Sequence, residues 1–510
     1  MPIEGAAIQY GSWIEGVDYS RVAEEQSPKS IPAMQNCTVG NTGEMEKRNG
    51  YTEYIDANMS STPTVVGCGR MRFSGTSDSV FAVAGTKFYE DTDSAWVDRT
   101  ASISISAGND NVVSWANAGG TGIFTNNVNA PWKWAAAAGN IAAWDVDSRF
   151  TTALCLEFWD NRAWAGNTSS GSDRVWRSDA GDIETFAATS FYTLDQDVTG
   201  LKGYRNILTI HADDQFNMGG GIWVLSPTGN ATAPYSLQKR ADKGTVSHRS
   251  VVVHAGGSMV YVREDGVYEW DGSSPPIKIS FNLDGPRYWD KINQARLKYS
   301  HAVDYPDRSE VWFWIPHGEG QTNMNHIVVW NYRHRIWYGP MLGNVEADFT
   351  RTSSALINDT PHAGGISKGQ LYVHDNSTND NTAVIDAYFD TSAPPPQGIG
   401  TQVRWLYARH AFDAVGEHDV SVQMLSPGII SRTDFLTVGS TDATIGVFII
   451  AVSAIAGETA QIADTHMWGY DPRVQLRYRN QQADEAFTIR FVNLIYKPQG
   501  LTMKEDAGVE

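Results

Sequence analysis

The chain has 510 residues, 41% hydrophobic and 19% charged, with 47 Gly, 20 Pro, 18 Trp and a formal net charge of −19. That composition excludes wholesale disorder, and with no cluster of Lys and Arg it excludes a nucleic-acid grip built on phosphate neutralisation. Length sets a frame of about two to four domains, and the aromatics, low charge and evenly spread turn formers predict an all-β protein of short strands.

Residues 1–60 are punctuated by Gly and Pro with little periodicity, which predicts an extended N-terminal arm. Met1-Pro2-Ile3-Glu4 has neither the basic nor the apolar stretch of a secretory leader. Cys37, Cys68 and Cys155 lack CxxC spacing, so neither a zinc site nor a disulfide framework is expected, and the setting reads as reducing.

From residue 61 to 393 a unit repeats. Aromatic-centred runs recur at Lys87–Asp91, Pro131–Trp134, Arg174–Ser178, Gly221–Leu225, Gly266–Gly272, Ile327–Asn331 and Gln370–Asp375. Their centres, Tyr89, Trp134, Trp176, Trp223, Tyr268, Trp330 and Tyr372, lie 45, 42, 47, 45, 62 and 42 residues apart. A beat near 40–50 residues is the length of one four-stranded propeller blade. Several units carry a second strand upstream, at Val80–Val83, Leu156–Trp159, Ile207–Ile210, Met259–Val262 and Val311–Ile315. The last of these is apolar throughout, as a strand covered on both faces must be. A β-propeller of about seven blades (six to eight by the count) is expected, with an insertion around Ile277–Lys298 to account for the long interval.

Pro394-Pro395-Pro396-Gln397-Gly398 reads as a stiff junction. Residues 394–510 predict a C-terminal β-sandwich, with strands at Gln402–Tyr407, Asp419–Leu425, Ile445–Val452, Val474–Tyr478 and Phe487–Tyr496. The apolar run Ile445–Ala456 is shorter than the roughly 20 residues a membrane helix needs.

Chemistry-bearing patterns are few. Gly365-Ile366-Ser367-Lys368-Gly369 matches GxSxG, but a strand follows where a nucleophile elbow needs a helix. Ser178-Asp179-Ala180-Gly181-Asp182 has Ala180 where a sialidase-type box would carry an acid, and reads as a blade turn. The acid pairs Asp91/Asp93, Asp145/Asp147 and Asp213/Asp214 lack the loop of a calcium site and read as acidic turns. Arg333-His334-Arg335, beside Tyr332 and Trp337, reads as surface cations next to core rings. The 12 histidines form no HExxH, and no phosphate-binding glycine loop occurs. No catalytic, cofactor-binding or metal-binding residue is expected, and the chain is expected not to be an enzyme.

Several segments resemble one family. They are Gly16-Val17-Asp18, Ser27-Pro28, Ile31-Pro32-Ala33, Gln35–Val39 and Lys47-Arg48-Asn49-Gly50-Tyr51 in the arm, then the turn Trp176–Phe186. The block Ser247–Ser280 follows, with Gly256-Gly257, Glu264–Tyr268, Asp271-Gly272 and Lys278-Ile279-Ser280, and near the end Val474–Tyr478 and Phe487–Arg490. In this order they resemble the tail nozzle, or hub, β-propeller proteins of short-tailed bacteriophages. The resemblance implies a non-enzymatic virion component, assembled in the host bacterial cytoplasm as a homo-oligomeric, usually hexameric, ring. Such a ring sits below the portal and adaptor, encloses the DNA exit channel, helps retain packaged DNA and anchors fibres or spikes. Double-stranded DNA would pass the lumen without sequence-specific binding. The 62-residue interval and the run Ile445–Ala456 depart from the family. The rival readings are a lectin-like, receptor-binding glycan binder and a propeller glycoside hydrolase.

Overall fold

The computed structural model describes residues 6–75, 78–213, 220–230, 232–345, 349–396, 403–413, 418–426, 429–438, 460–471 and 473–498. The expected strand Ile445–Val452, the whole run Ile445–Ala456, Asp214 and the junction's Gln397-Gly398 lie outside them. The chain forms two compact units: residues 1–50, 336–344 and 378–510 in one, and 51–335 with 345–377 in the other.

The larger unit is a β-propeller. Its antiparallel sheets, from inner to outer strand, begin with Val65–Arg72, Asp78–Ala84, Lys87–Asp91 and Trp96–Asp98 as blade 1. Blade 2 is Ser114–Ala118, Thr121–Thr125, Trp132–Trp134 and Ala142–Ala143; blade 3 is Ala153–Trp159, Arg162–Thr168, Gly171–Arg177 and Phe191–Thr193. Blade 4 is Asp197–Tyr204, Ile207–Asp213, Gly221–Pro227 and Tyr235–Ala241; blade 5 is Val252–Val253, Met259–Arg263, Gly266–Trp270 and Ile277–Lys278. Blade 6 has His301–Tyr305, Glu310–Ile315 and His326–Asn331 within this unit. Blade 7 is Arg351–Ile357, Thr360–Gly365 and Leu371–Ser377, and its outer strand is Gly50–Glu53, from the far end of the chain.

Inner strands define the axis. Those of blades 1 to 4 touch in succession, as do those of blades 5, 6 and 7, and the inner strand of blade 7 touches that of blade 1. Between blades 4 and 5 the 3-10 turn His248–Ser250 makes the contact, standing ahead of a two-residue inner strand. The circle is closed. Closure is tight: the hydroxyl of Ser353 donates to the Val65 carbonyl at 3.1 Å, and Thr64 Oγ1 donates to that of Ile366 at 2.7 Å. A Cβ on Gly364 would stand 2.6 Å from the Val65 oxygen, so only glycine lets blades 7 and 1 approach this closely.

The core lies between blades. Phe81 and Phe88 of blade 1 pack with Phe124, Trp132 and Trp134 of blade 2, with Phe88 and Trp134 edge to face at 5.1 Å. The aromatic beat marks the third strand of every blade, and Trp134, Trp176, Trp223 and Tyr268 each pack against the preceding blade. Glu310–Ile315 is buried along its whole length, as its lack of a polar face demands. The insertion inferred from the long interval is a run of three 3-10 turns, Phe281–Leu283, Trp289–Lys291 and Gln294–Tyr299.

One expected strand takes a different place. Leu156–Trp159 belongs to the inner strand of blade 3, and the second strand is Arg162–Thr168. Asp160 and Asn161, both at positive φ, make the two-residue hairpin between Trp159 and Arg162. The second strand's Ala163, Ala165 and Gly166 have low β-propensity, so packing and not propensity places it.

The smaller unit contains two antiparallel sheets. One orders Ala460–Asp471, Val403–Asp413, Thr488–Pro498, Met45–Lys47 and Cys37–Val39, with Ala6–Gly11 also paired to Thr488–Pro498. The other orders Ile429–Val438, His418–Ser426, Gln475–Asn480, Ala387–Asp390 and Ala33–Gln35. His410 of the first sheet reaches Tyr478 of the second, Nδ1 to hydroxyl at 2.8 Å, so the sheets face one another. The segment read as an arm thus supplies four strands to these sheets, and its buried Tyr10, Trp13, Met34 and Cys37 share their core.

Candidate functional site

The axis of the propeller holds a cavity of about 170 Å³ to which every blade contributes. Its wall includes Cys68, Ser114, Glu157, Lys202, Arg249, His301 and Ser354, taken from the inner strands and from the turn ahead of blade 5. The short inner strand of blade 5 makes room for that turn.

Two cations and one carboxylate line this space. Lys202 Nζ stands 3.6 Å from Glu157, a loose ion pair whose lysine is partly exposed at the open side. Burial raises the Glu157 carboxyl, and Lys202 pulls it back. Arg249 is held by carbonyl oxygens: Nη1 donates to Thr352 at 2.6 Å and Nη2 to Tyr299 at 2.7 Å. Burial lowers its guanidinium to about 10. It also lines a second, smaller space with Asn109, Arg296, Tyr299 and Thr352, and so stands between the two. Beyond it the insertion turn Gln294–Tyr299 is tied to the loop between blades 1 and 2 by Arg296 Nη1 donating to Asp110 at 2.9 Å. The insertion thus helps line the smaller space.

The imidazoles here are neutral. His248 Nδ1 accepts from the Leu201 N–H at 3.3 Å, which leaves its proton on Nε2. Burial, reinforced by Lys202 and Arg249, lowers it to about 3. His301 stacks on Trp314 at 5.1 Å and meets the Ser354 hydroxyl through Nδ1 at 2.7 Å. Burial pushes the Cys68 thiol up to about 11, which makes it a packing group and not a nucleophile.

The motifs singled out in the sequence lie elsewhere. Ser367 sits in the bend between the second and third strands of blade 7, with no helix after it. Ser178–Asp182 is a turn closed by the Asp179–Asp182 bridge, and its Ser178 hydroxyl accepts from the Ala163 N–H at 2.9 Å. Asp91 accepts from Tyr54 and from the Asp93 N–H, and Asp145 from the Asp147 N–H, so these acids organise turns. Arg335 pairs with Glu269 at 2.7 Å. Among the described residues no group of three His, Cys, Asp or Glu side chains is placed to hold a metal ion.

Sequence reasoning missed the axial residues, although a signal existed. Cys68, Ser114, Glu157, Lys202, Arg249 and Ser353 precede the aromatic centres Tyr89, Trp134, Trp176, Trp223, Tyr268 and Tyr372 by 19–21 residues each. Once the ring is known, that offset places an axial residue on six of the seven blades.

No protein-family model matches this chain, and no curated protein does. Solved structures do. YCF48 from Cyanidioschyzon merolae is 9% identical over 64% of this chain and 98% of its own, at a TM-score of 0.41. Kuenenia stuttgartiensis hydrazine synthase is 9% identical over 65% of this chain and 100% of its own, also at 0.41. A family 43 glycoside hydrolase, an arabinoxylan arabinofuranohydrolase from Bacillus subtilis, is 10% identical over 87% and 99%, at 0.24.

Proposed function

We propose that the chain is a structural component of a short-tailed bacteriophage tail, a nozzle subunit that works by rigidity and charge. The observation that carries this reading is that the segments bearing the family resemblance fall on whole structural units in the family's order. Ser247–Ser280 spans blade 5 with its axial turn, and Trp176–Phe186 is the outer turn of blade 3. Gln35–Val39 and Lys47–Tyr51 enter strands, and the two closing motifs fall on one strand in each sheet of the smaller unit.

The axial cavity bears on what such a subunit does. At about 170 Å³ it is far too small for a duplex. A DNA channel would therefore be enclosed by several copies and not by the hole of one propeller. A net charge of −19 would keep a passing duplex from adhering. Hydrolysis of a glycoside would instead need two carboxylates roughly 5–9.5 Å apart, and Glu157, already beside Lys202, is the carboxylate lining the axial space.

Mass photometry and cryo-electron microscopy of the full chain, alone and with a portal–adaptor assembly, test the reading. A hexameric ring seated on the adaptor is expected. A monomer that ignores the adaptor, or turnover on a glycan panel, would overturn it.

A further inference from the structure

We propose that the axial cavity of the propeller is a binding site for a small oxyanion, a phosphate or a small carboxylate. The first reason is charge. Arg249 lines the cavity half-buried, and among the described residues no carboxylate pairs with it. The Thr352 and Tyr299 carbonyls satisfy hydrogen bonds without neutralising the guanidinium, which leaves its charge for an anion to meet. Lys202 adds a second cation, and Glu157 offsets only one of the two. In a chain of net charge −19 this is a local inversion of sign.

The second reason is unspent hydrogen-bonding capacity. His301 is 1% exposed, lines the cavity, and its Nε2 has no partner. His248 keeps its proton on Nε2, because Nδ1 accepts from Leu201. Cations with neutral imidazoles around a small polar space suit an oxyanion, whose oxygens accept several charge-assisted hydrogen bonds.

This inference stands apart from the proposed tail role, since it concerns one subunit and needs no ring. The test is thermal unfolding and titration calorimetry of the full chain against sodium phosphate, sulfate and acetate, with sodium chloride at matched ionic strength as reference. A saturable rise in Tm and a one-site isotherm are expected for at least one oxyanion and not for chloride. Response to phosphate and sulfate alone assigns a tetrahedral oxyanion; response to acetate assigns a carboxylate. Arg249→Met abolishes the response, and Lys202→Met raises the half-saturating concentration by about tenfold, one charge-assisted hydrogen bond's worth. Should Arg249→Met fail to fold, Lys202→Met decides. Equal responses to chloride and the oxyanions, or half-saturation unchanged in Lys202→Met, would overturn the proposal.

Discussion

Arg48 and Asp380 bury both their charges in the smaller unit, with side chains 3% and 2% exposed and paired hydrogen bonds of 2.7 and 2.6 Å. Asn36 and the Leu342 carbonyl satisfy the rest of the guanidinium. Taking away one partner strands the other in a dry site, so Asp380→Ala should cost about 3–5 kcal/mol in urea unfolding; a loss below 1 kcal/mol would mean that water reaches the pair. Buried histidines set the acid limit. His211 and His410 would take a proton near 6.5 when unfolded, but burial lowers them to about 3 in the fold. Between these values the unfolded chain binds more protons, so stability present above pH 6.5 is lost as pH falls toward 3. Denaturation midpoints at pH 7, 5.5 and 4 should fall in that order. His211→Asn, which keeps an acceptor for the Thr245 N–H, should flatten the slope, and an unaltered slope would assign the acid sensitivity elsewhere. Cys37, Cys68 and Cys155 are all buried with thiols pushed up by desolvation. A thiol reagent should find them slow in the native protein and all three fast in denaturant; rapid native labelling would contradict that burial.

At the scale of elements, the ring depends on its seam. Strand Gly50–Glu53 pairs with Leu371–Ser377, so the propeller is closed by residues more than 300 positions apart, and the Tyr54 N–H donates to the Leu371 carbonyl at 2.8 Å. Gly364→Ala would force a Cβ to within 2.6 Å of the Val65 oxygen. The expected cost is about 1–3 kcal/mol from overpacking, measurable as a lower Tm. No change in Tm would mean that the seam yields without strain. Third strands were legible because each carries a buried aromatic, which in blades 2 to 5 fills the space against the blade before it and so imposes composition as well as spacing. Inner strands were not. They sit beside the axis, where close approach favours Gly, Ser and Ala over large apolar residues, and the inner strand of blade 5 is two residues long. The same reasoning explains Leu156–Trp159, whose apolar look suited a second strand while its place is the inner one.

For the whole molecule, acidity is the property with the clearest outcome. In an electrophoretic shift assay at low salt the full chain should leave duplex DNA unretarded, because no cationic surface repays displaced counterions. Retardation that salt abolishes would refute a repelling surface. Division into units was the least legible feature. Proline spacing suggested a break at 394, yet one unit gathers residues 1–50, 336–344 and 378–510. A segment without periodicity of its own, such as residues 6–47, becomes ordered by pairing with strands from the other end of the chain, and pairing leaves no local signature.

Composition and beat by themselves determined that this is an all-β chain built on blades, since aromatic packing between repeated sheets must be written locally, every 42–47 residues with one longer interval. Tertiary structure alone decided that Arg249, Lys202, Glu157 and two histidines meet around one cavity, and that the insertion lines a smaller space next to it. The reason is distance along the chain. Each blade supplies only one or a few of these residues, and only closure of the ring brings them together.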